Sequence, residues 1–214
     1  MHPRSPFQIA KEYTDKIFQR KFPGFGEQKN FAISKAAGDW ILSIDADERV
    51  TAPLAEEIKN IMAESKIHGC LIPIKTYFLG KPMMHCGWWP NYKLRLFKKD
   101  SGTMSDSLVH ESVTVPGQTC KLKNHLDHYS YQTVSQLLQK ADAYSTLGAE
   151  RMLSQGKSCS IFSAISHSSF AFFKIYFLKL GILDGWKGLT IAYSNAVGVF
   201  YRYIKCIAMK EKQN

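Results

Sequence analysis

Asp45 and Asp47 stand one residue apart at the end of the apolar run Trp40-Ile41-Leu42-Ser43-Ile44, and Glu48 and Arg49 follow directly. A short run rich in Ile and Leu, opened by Gly38-Asp39 and closed before Thr51-Ala52-Pro53, predicts a buried strand. In an extended chain residues i and i+2 share a side, so both carboxylates are expected to project together from the strand's carboxyl end. In an open α/β sheet that end is where ligands bind. Two neighbouring carboxylates repel each other unless a cation or strong donors stand between them, and a hard divalent ion carrying phosphate oxygens suits them. Asp-x-Asp at a strand end also serves as a solvated turn or a helix cap, so the motif takes its meaning from its flanks.

The elements that must hold this pair can be read in chain order. Phe7–Tyr13 reads as the last turns of a helix, Lys16–Arg20 as a short strand and Phe22–Gly26 as a loop. Glu27–Ala37 reads as a helix with Phe31, Ala32 and Ala36 inward, ended by Gly38 in a left-handed conformation. Pro53–Ser65 is amphipathic, with Leu54, Ile58, Ile61 and Met62 as its buried stripe. Gly69–Lys75 predicts a strand, residues 76–91 a long aromatic loop, Tyr92–Phe97 a strand, and Val113–Gly117 a short strand and turn. Thr133–Leu153 is the longest helix of this part, closed by Gly156.

At 214 residues and 45% apolar content, one domain with an appendage is expected: a core over 1–156 and a basic, aromatic region over 157–214. The net charge of +10 calls for an anionic partner, and residues 157–214 hold eight basic side chains against two acids. Two helices broken at Gly181–Gly188, apolar on one side and basic on the other, are suited to an anionic membrane interface; a helical hairpin packed on the core is the plainer alternative. The uncharged stretches Ile161–Phe173 and Gly188–Tyr201 fall short of the ~20 residues a span needs, and no signal peptide is visible. Five scattered cysteines without Cys-x-x-Cys predict reduced thiols in a cytoplasm. No helix-turn-helix, RNP-like or finger pattern supports nucleic-acid binding.

Several stretches together resemble the family 2 glycosyltransferases, in particular the branch that adds sugars, often glucose, to the lipopolysaccharide inner core. They are Phe22-Pro23-Gly24-Phe25-Gly26-Glu27-Gln28-Lys29-Asn30-Phe31-Ala32, Gly38-Asp39-Trp40, Asp45-Ala46-Asp47-Glu48-Arg49, Tyr92–Phe97, Val109-His110-Glu111 and Gly181–Gly188. The resemblance runs from about Ile9 onward, so the strand–helix–strand that opens such enzymes is matched only by its tail.

The resemblance implies a GT-A, Rossmann-like α/β fold and inverting transfer from a nucleotide-diphosphate sugar, a UDP-sugar, to a lipid-linked glycan. It also implies magnesium or manganese at Asp47 and Asp45, and Glu111 as general base; Lys29 is a candidate to meet the diphosphate, the plainer alternative being a helix-surface lysine. Trp88 and Trp89 are candidates to stack on acceptor sugars, and Arg95 or Lys93 to meet acceptor phosphates. His110 reads as structural, and His128 as able to approach the metal side of the cleft. His125-x-x-His128 with Cys86 and Cys120 fits no standard zinc module. The expected location is the cytoplasmic face of the cell membrane, held peripherally. The rival expectation is a non-catalytic, membrane-associated remnant of such an enzyme.

Overall fold

The computed structural model describes residues 5–21, 23–64, 66–101, 103–104 and 113–212. Its fold is α/β, as the sequence predicts, and its axis is a strand far longer than the periodicity of Gly69–Lys75 marks.

That strand, β3 (Ile67–Phe78), is twelve residues long and buries Ile67, Cys70, Ile72, Ile74 and Phe78. Among the described residues, β1 (Trp40–Leu42) and β2 (Glu48–Val50) precede it, and β4 (Lys81–Pro82) folds back on its end. β5 (Asn91–Lys98) pairs antiparallel with one side of β3. Two short strands, β6 (Thr103–Met104) and β7 (Val113–Thr114), form a separate antiparallel pair. β8 (Gln118–Lys121) and β9 (Leu126–Tyr131) lie parallel to β3 on its other side, one after the other along its length. The sequence reading misses both. Leu126-Asp127-His128-Tyr129-Ser130-Tyr131 carries one aliphatic residue and two aromatics among polar ones, so it lacks the alternation that marks a strand.

The main sheet runs β1-β5-β3-β9-β2. β1 and β2 therefore lie at opposite ends of that order, although only residues 43–47 separate them. Four inter-strand steps would span about 19 Å in a flat sheet. The connection contains a turn, with Glu48 N–H donating to the Asp45 carbonyl at 3.0 Å, so it is not extended. The sheet must curl to bring its ends within reach. This crossing overturns the expectation that the strand itself delivers both aspartates: the β1 ladder ends at Leu42, and Asp45 and Asp47 lie in the crossing segment.

Helices position the rest. α1 (Pro6–Lys11) is capped by Ser5 and Gln8, and the following Lys16–Arg20, expected as a short strand, belongs to no strand or helix. α2 (Phe25–Lys35) starts two residues earlier than expected, from Gly24 at φ 140°, and ends at Ala36; Gly38 is not left-handed. α3 (Ala52–Met62) is capped by Thr51 and inserts Leu54 and Ile58 against β3, β5 and β9, while Met62 is exposed. The predicted loop 76–91 is shortened by β3 and β4, and Phe78 is core. α4 (Val134–Ser154) has the capping box Thr133/Gln136 and ends before Gly156 at φ 63°.

α5 (Ile161–Phe173) continues through one π-helical turn, Lys174–Leu178, then a 3-10 turn, Gly181–Asp184, and α6 (Gly185–Glu211). The continuation makes Ile161–Leu178 an 18-residue helical stretch, long and apolar enough by length and composition to cross a membrane, which the sequence reading did not anticipate. α6 packs along both α4 and α5. Phe78, Met83 and Cys86 share one core with Leu137 of α4 and Ile191 of α6. Cys159 and Cys206 are paired as a disulfide between the start of α5 and the end of α6, which corrects the expectation of five reduced thiols.

Candidate active site

The crossing segment is held from below by Arg95 of β5. Arg95 is buried, and its Nη2 donates to Asp45 Oδ2 at 2.9 Å and to Glu48 Oε1. Glu48 has no exposed side-chain surface, and its other oxygen accepts the Asp45 backbone N–H at 2.8 Å. One guanidinium thus bridges two carboxylates and fixes the loop between them. Lys29 of α2 approaches Asp45 Oδ1 at 3.6 Å. Burial raises the Asp45 pKa, but the Arg95 hydrogen bond and the charges of Arg95, Lys29 and His128 outweigh it and hold the carboxyl below its ordinary range.

Asp47 faces differently. Its backbone carbonyl accepts from Tyr129 N–H at 2.9 Å, joining the segment to β9. Its carboxylate lies 3.2 Å from His128 Nε2 and keeps 44% of its side-chain surface exposed. Beside it is a cleft of about 320 Å³ lined by Asp47, Ser130, Gln136, Gln139, Lys140 and Ala143. The sequence places His128 near the metal side of the cleft, and the structure sets it against Asp47. Ser130, Gln136 and Lys140 have no signal in the sequence, because only the pairing of β9 with α4 brings them to this edge.

The other predicted site residues divide. Arg95 is turned inward onto Asp45 and Glu48 rather than outward to an acceptor. Trp88 and Trp89 face different surroundings. Trp88 stacks on Tyr131 at 5.3 Å in the second core, whereas Trp89 meets His125 edge-on at 5.9 Å and Lys75 Nζ at 5.8 Å. Glu111 and His110 lie outside the described residues; the β6–β7 pair that flanks them lies with β6 against α2, the helix carrying Lys29.

Gly181–Gly188, part of the family resemblance, is a structural clasp. Asp184 accepts from the His85 backbone N–H at 3.0 Å and meets His85 Nδ1 at 2.9 Å. Lys187 Nζ, buried, donates to the Phe78 and Leu79 carbonyls at 3.1 and 3.0 Å. Burial and the neighbouring Asp184 carboxylate push the Cys86 thiol up to about 12. These contacts fasten the carboxyl-terminal helices to the far end of β3.

The site's chemistry fits a cation at Asp47 better than one shared equally by both aspartates. Both Asp45 oxygens already face cationic side chains, and among the described residues no three His, Cys, Asp or Glu side chains gather as a metal cluster. Magnesium commonly binds through one or two carboxylates with phosphate oxygens and water completing its shell, and Asp47 presents such a carboxylate to an open cleft.

No family model matches the chain. Among curated proteins its relatives include several named glycosyltransferases. An uncharacterized glycosyltransferase of Rickettsia felis is 29% identical over 215 residues, covering 95% of this chain and 75% of the relative. One from Rickettsia typhi is 28% identical, covering 95% and 73%. The lipopolysaccharide core biosynthesis glycosyltransferase LpsC of Rhizobium meliloti is 25% identical over 221 residues, covering 96% of this chain and 80% of its own length.

Proposed function

We propose that this chain is an inverting, metal-dependent family 2 glycosyltransferase of GT-A fold. It would move glucose from UDP-glucose to a lipid-linked glycan of the lipopolysaccharide core. The observation that carries the reading is the Asp45–Asp47 crossing segment, clamped by Arg95 and opening beside Lys29 and the Asp47 cleft. The named relatives support the reaction class, and the name of LpsC alone among those described supports the acceptor.

In this reading the acceptor hydroxyl attacks the anomeric carbon of the donor while the bond to the diphosphate breaks. Glu111 takes the hydroxyl's proton. Lys29 faces the diphosphate, and its charge stabilises the leaving oxygens as they gain charge. Asp47 would hold magnesium or manganese, which when bound offsets charge on that diphosphate. Arg95 acts through Asp45 and Glu48, keeping the segment in place. Trp88 and Trp89, which have different neighbours, would serve the acceptor separately.

The acceptor's lipid gives a role to the carboxyl-terminal helices. Phe162, Phe170, Phe173, Leu178, Leu183 and Trp186 are exposed on the α5–α6 segment, and only 6% of Ile161–Leu178 is buried in the protein. Lys174 and Lys179 lie in the same segment, so an anionic membrane surface, docked peripherally from the cytoplasmic side, matches both its apolar and its basic character. The test of the whole reading is calorimetric titration of UDP and UDP-glucose with and without manganese. Manganese-dependent binding that is lost in Asp47→Ala is expected; equal binding in the variant would refute the assignment.

A further inference from the structure

A second cavity, of about 190 Å³, opens between α4 and α6 under Trp88. Its wall includes Trp88, Tyr131 and Tyr144 as aromatic surfaces, with Lys140, Asn195 and Arg202 as polar groups. Among the described residues no carboxylate lines it. Arg202 Nε is buried with no hydrogen-bond partner among the described residues. A guanidinium is all donor, and leaving this Nε–H unmade in a buried place is costly. The packing holds it there: a side-chain carbon added at Gly148 would come within 2.6 Å of that nitrogen.

Lys140 joins this cavity to the Asp47 cleft, since it lines both. Its Nζ donates to Ser130 Oγ at 2.9 Å and sits 4.5 Å from the Tyr131 ring centroid, and it has no carboxylate partner among the described residues. Two cations without acids, aromatic walls, and a volume several times the ~30 Å³ share of one water define the ligand chemically.

We infer that this cavity binds a phosphorylated monosaccharide, its phosphate held by Arg202 and Lys140 and its ring against the aromatic wall. The inference rests on the glycosyltransferase reading for its purpose: the bound sugar phosphate would be the part of the acceptor that lies next to the Asp47 cleft. It specifies a substrate class, an acceptor bearing phosphate, that the reaction class alone does not.

The test is titration of glucose 6-phosphate into the full chain, followed by tryptophan fluorescence and calorimetry. Glucose, inorganic phosphate and dihexanoyl phosphatidylglycerol serve as comparison probes. Glucose 6-phosphate should bind more tightly than all three. Arg202→Gln and Lys140→Gln should each weaken it about tenfold or more, with unchanged thermal unfolding. Asp47→Ala should retain this binding while losing manganese-dependent UDP binding, so failure of the donor site and failure of this site are read separately. Undiminished binding in both cavity variants, or tighter binding of the short-chain lipid or of free phosphate, would overturn the assignment.

Discussion

Asp47 and His128 face each other at 3.2 Å, carboxylate to imidazole, because Glu48 of β2 is paired with His128 of β9. Eighty-one residues separate them in the chain. The contact makes Asp47 the aspartate of the pair that is both oriented by protein and open to the cleft. Asp47→Ala should lower manganese-dependent UDP affinity at least about tenfold, while His128→Gln should lower it less and leave Asp47 in place. Calorimetry of both variants checks this; an effect in His128→Gln larger than in Asp47→Ala would make the histidine the ligand.

Arg95 stands between Asp45 and Glu48, and Glu48 is fully enclosed. Removing one partner of a buried ion pair leaves an uncompensated charge, costing about 3–5 kcal/mol. Arg95→Met should therefore destabilise the fold by that order in urea unfolding. Arg95→Met combined with Glu48→Gln should recover part of the loss. If the double variant is no more stable than the single one, the pair is not the reason for the cost.

Much of this was open to reading from the sequence, and the misses have physical causes. β1 and α3 follow from local pattern, because a short apolar run and an amphipathic stripe need no tertiary knowledge, whereas the placement of Asp45 and Asp47 in a crossing segment does not. Nor does the direction of Arg95. Its alternation in β5 gives a face, but what lies over that face is decided by a crossing segment fifty residues away in sequence. β9 is hidden for the same reason: Asp127, His128 and Ser130 are tolerated in it because a partly exposed strand at the cleft need not be apolar. The inward turn of Arg202 and Lys205 onto α4 likewise removes two charges from the basic outer face that composition alone predicts.

Glu57 accepts from the Lys123 and Asn124 backbone N–H groups at 2.8 Å each and from Asn124 Nδ2 at 2.9 Å, tying α3 to the turn before β9. Burial raises its pKa, but these hydrogen bonds outweigh it and the folded value lies below the ordinary one of 4.5. A depressed folded pKa means the stabilisation is present above the unfolded value and is lost as pH falls through the folded one. Glu57→Gln should thus be less stable than the parent at neutral pH, and the gap should narrow as the solution is acidified below pH 4.5. A gap that stays constant with pH would show that charge is not what holds the turn.

Gly188 lies in the first turn of α6 against the 3-10 turn, and a side-chain carbon there would stand 1.8 Å from the Gly181 carbonyl oxygen. In an isolated helix Gly→Ala gains about 1 kcal/mol. Here the obstacle is backbone, which cannot swing aside as a side-chain end can, so the clash wins. Gly188→Ala should destabilise the protein by about 3 kcal/mol or more, of the order of severe core overpacking, and should loosen the Asp184–His85 clasp. Denaturant unfolding measures the first, and amide exchange at His85, whose N–H is bonded to Asp184, measures the second. A stabilised variant with slower exchange at His85 would mean that the two turns are not in the close contact that fastens the carboxyl-terminal helices to β3.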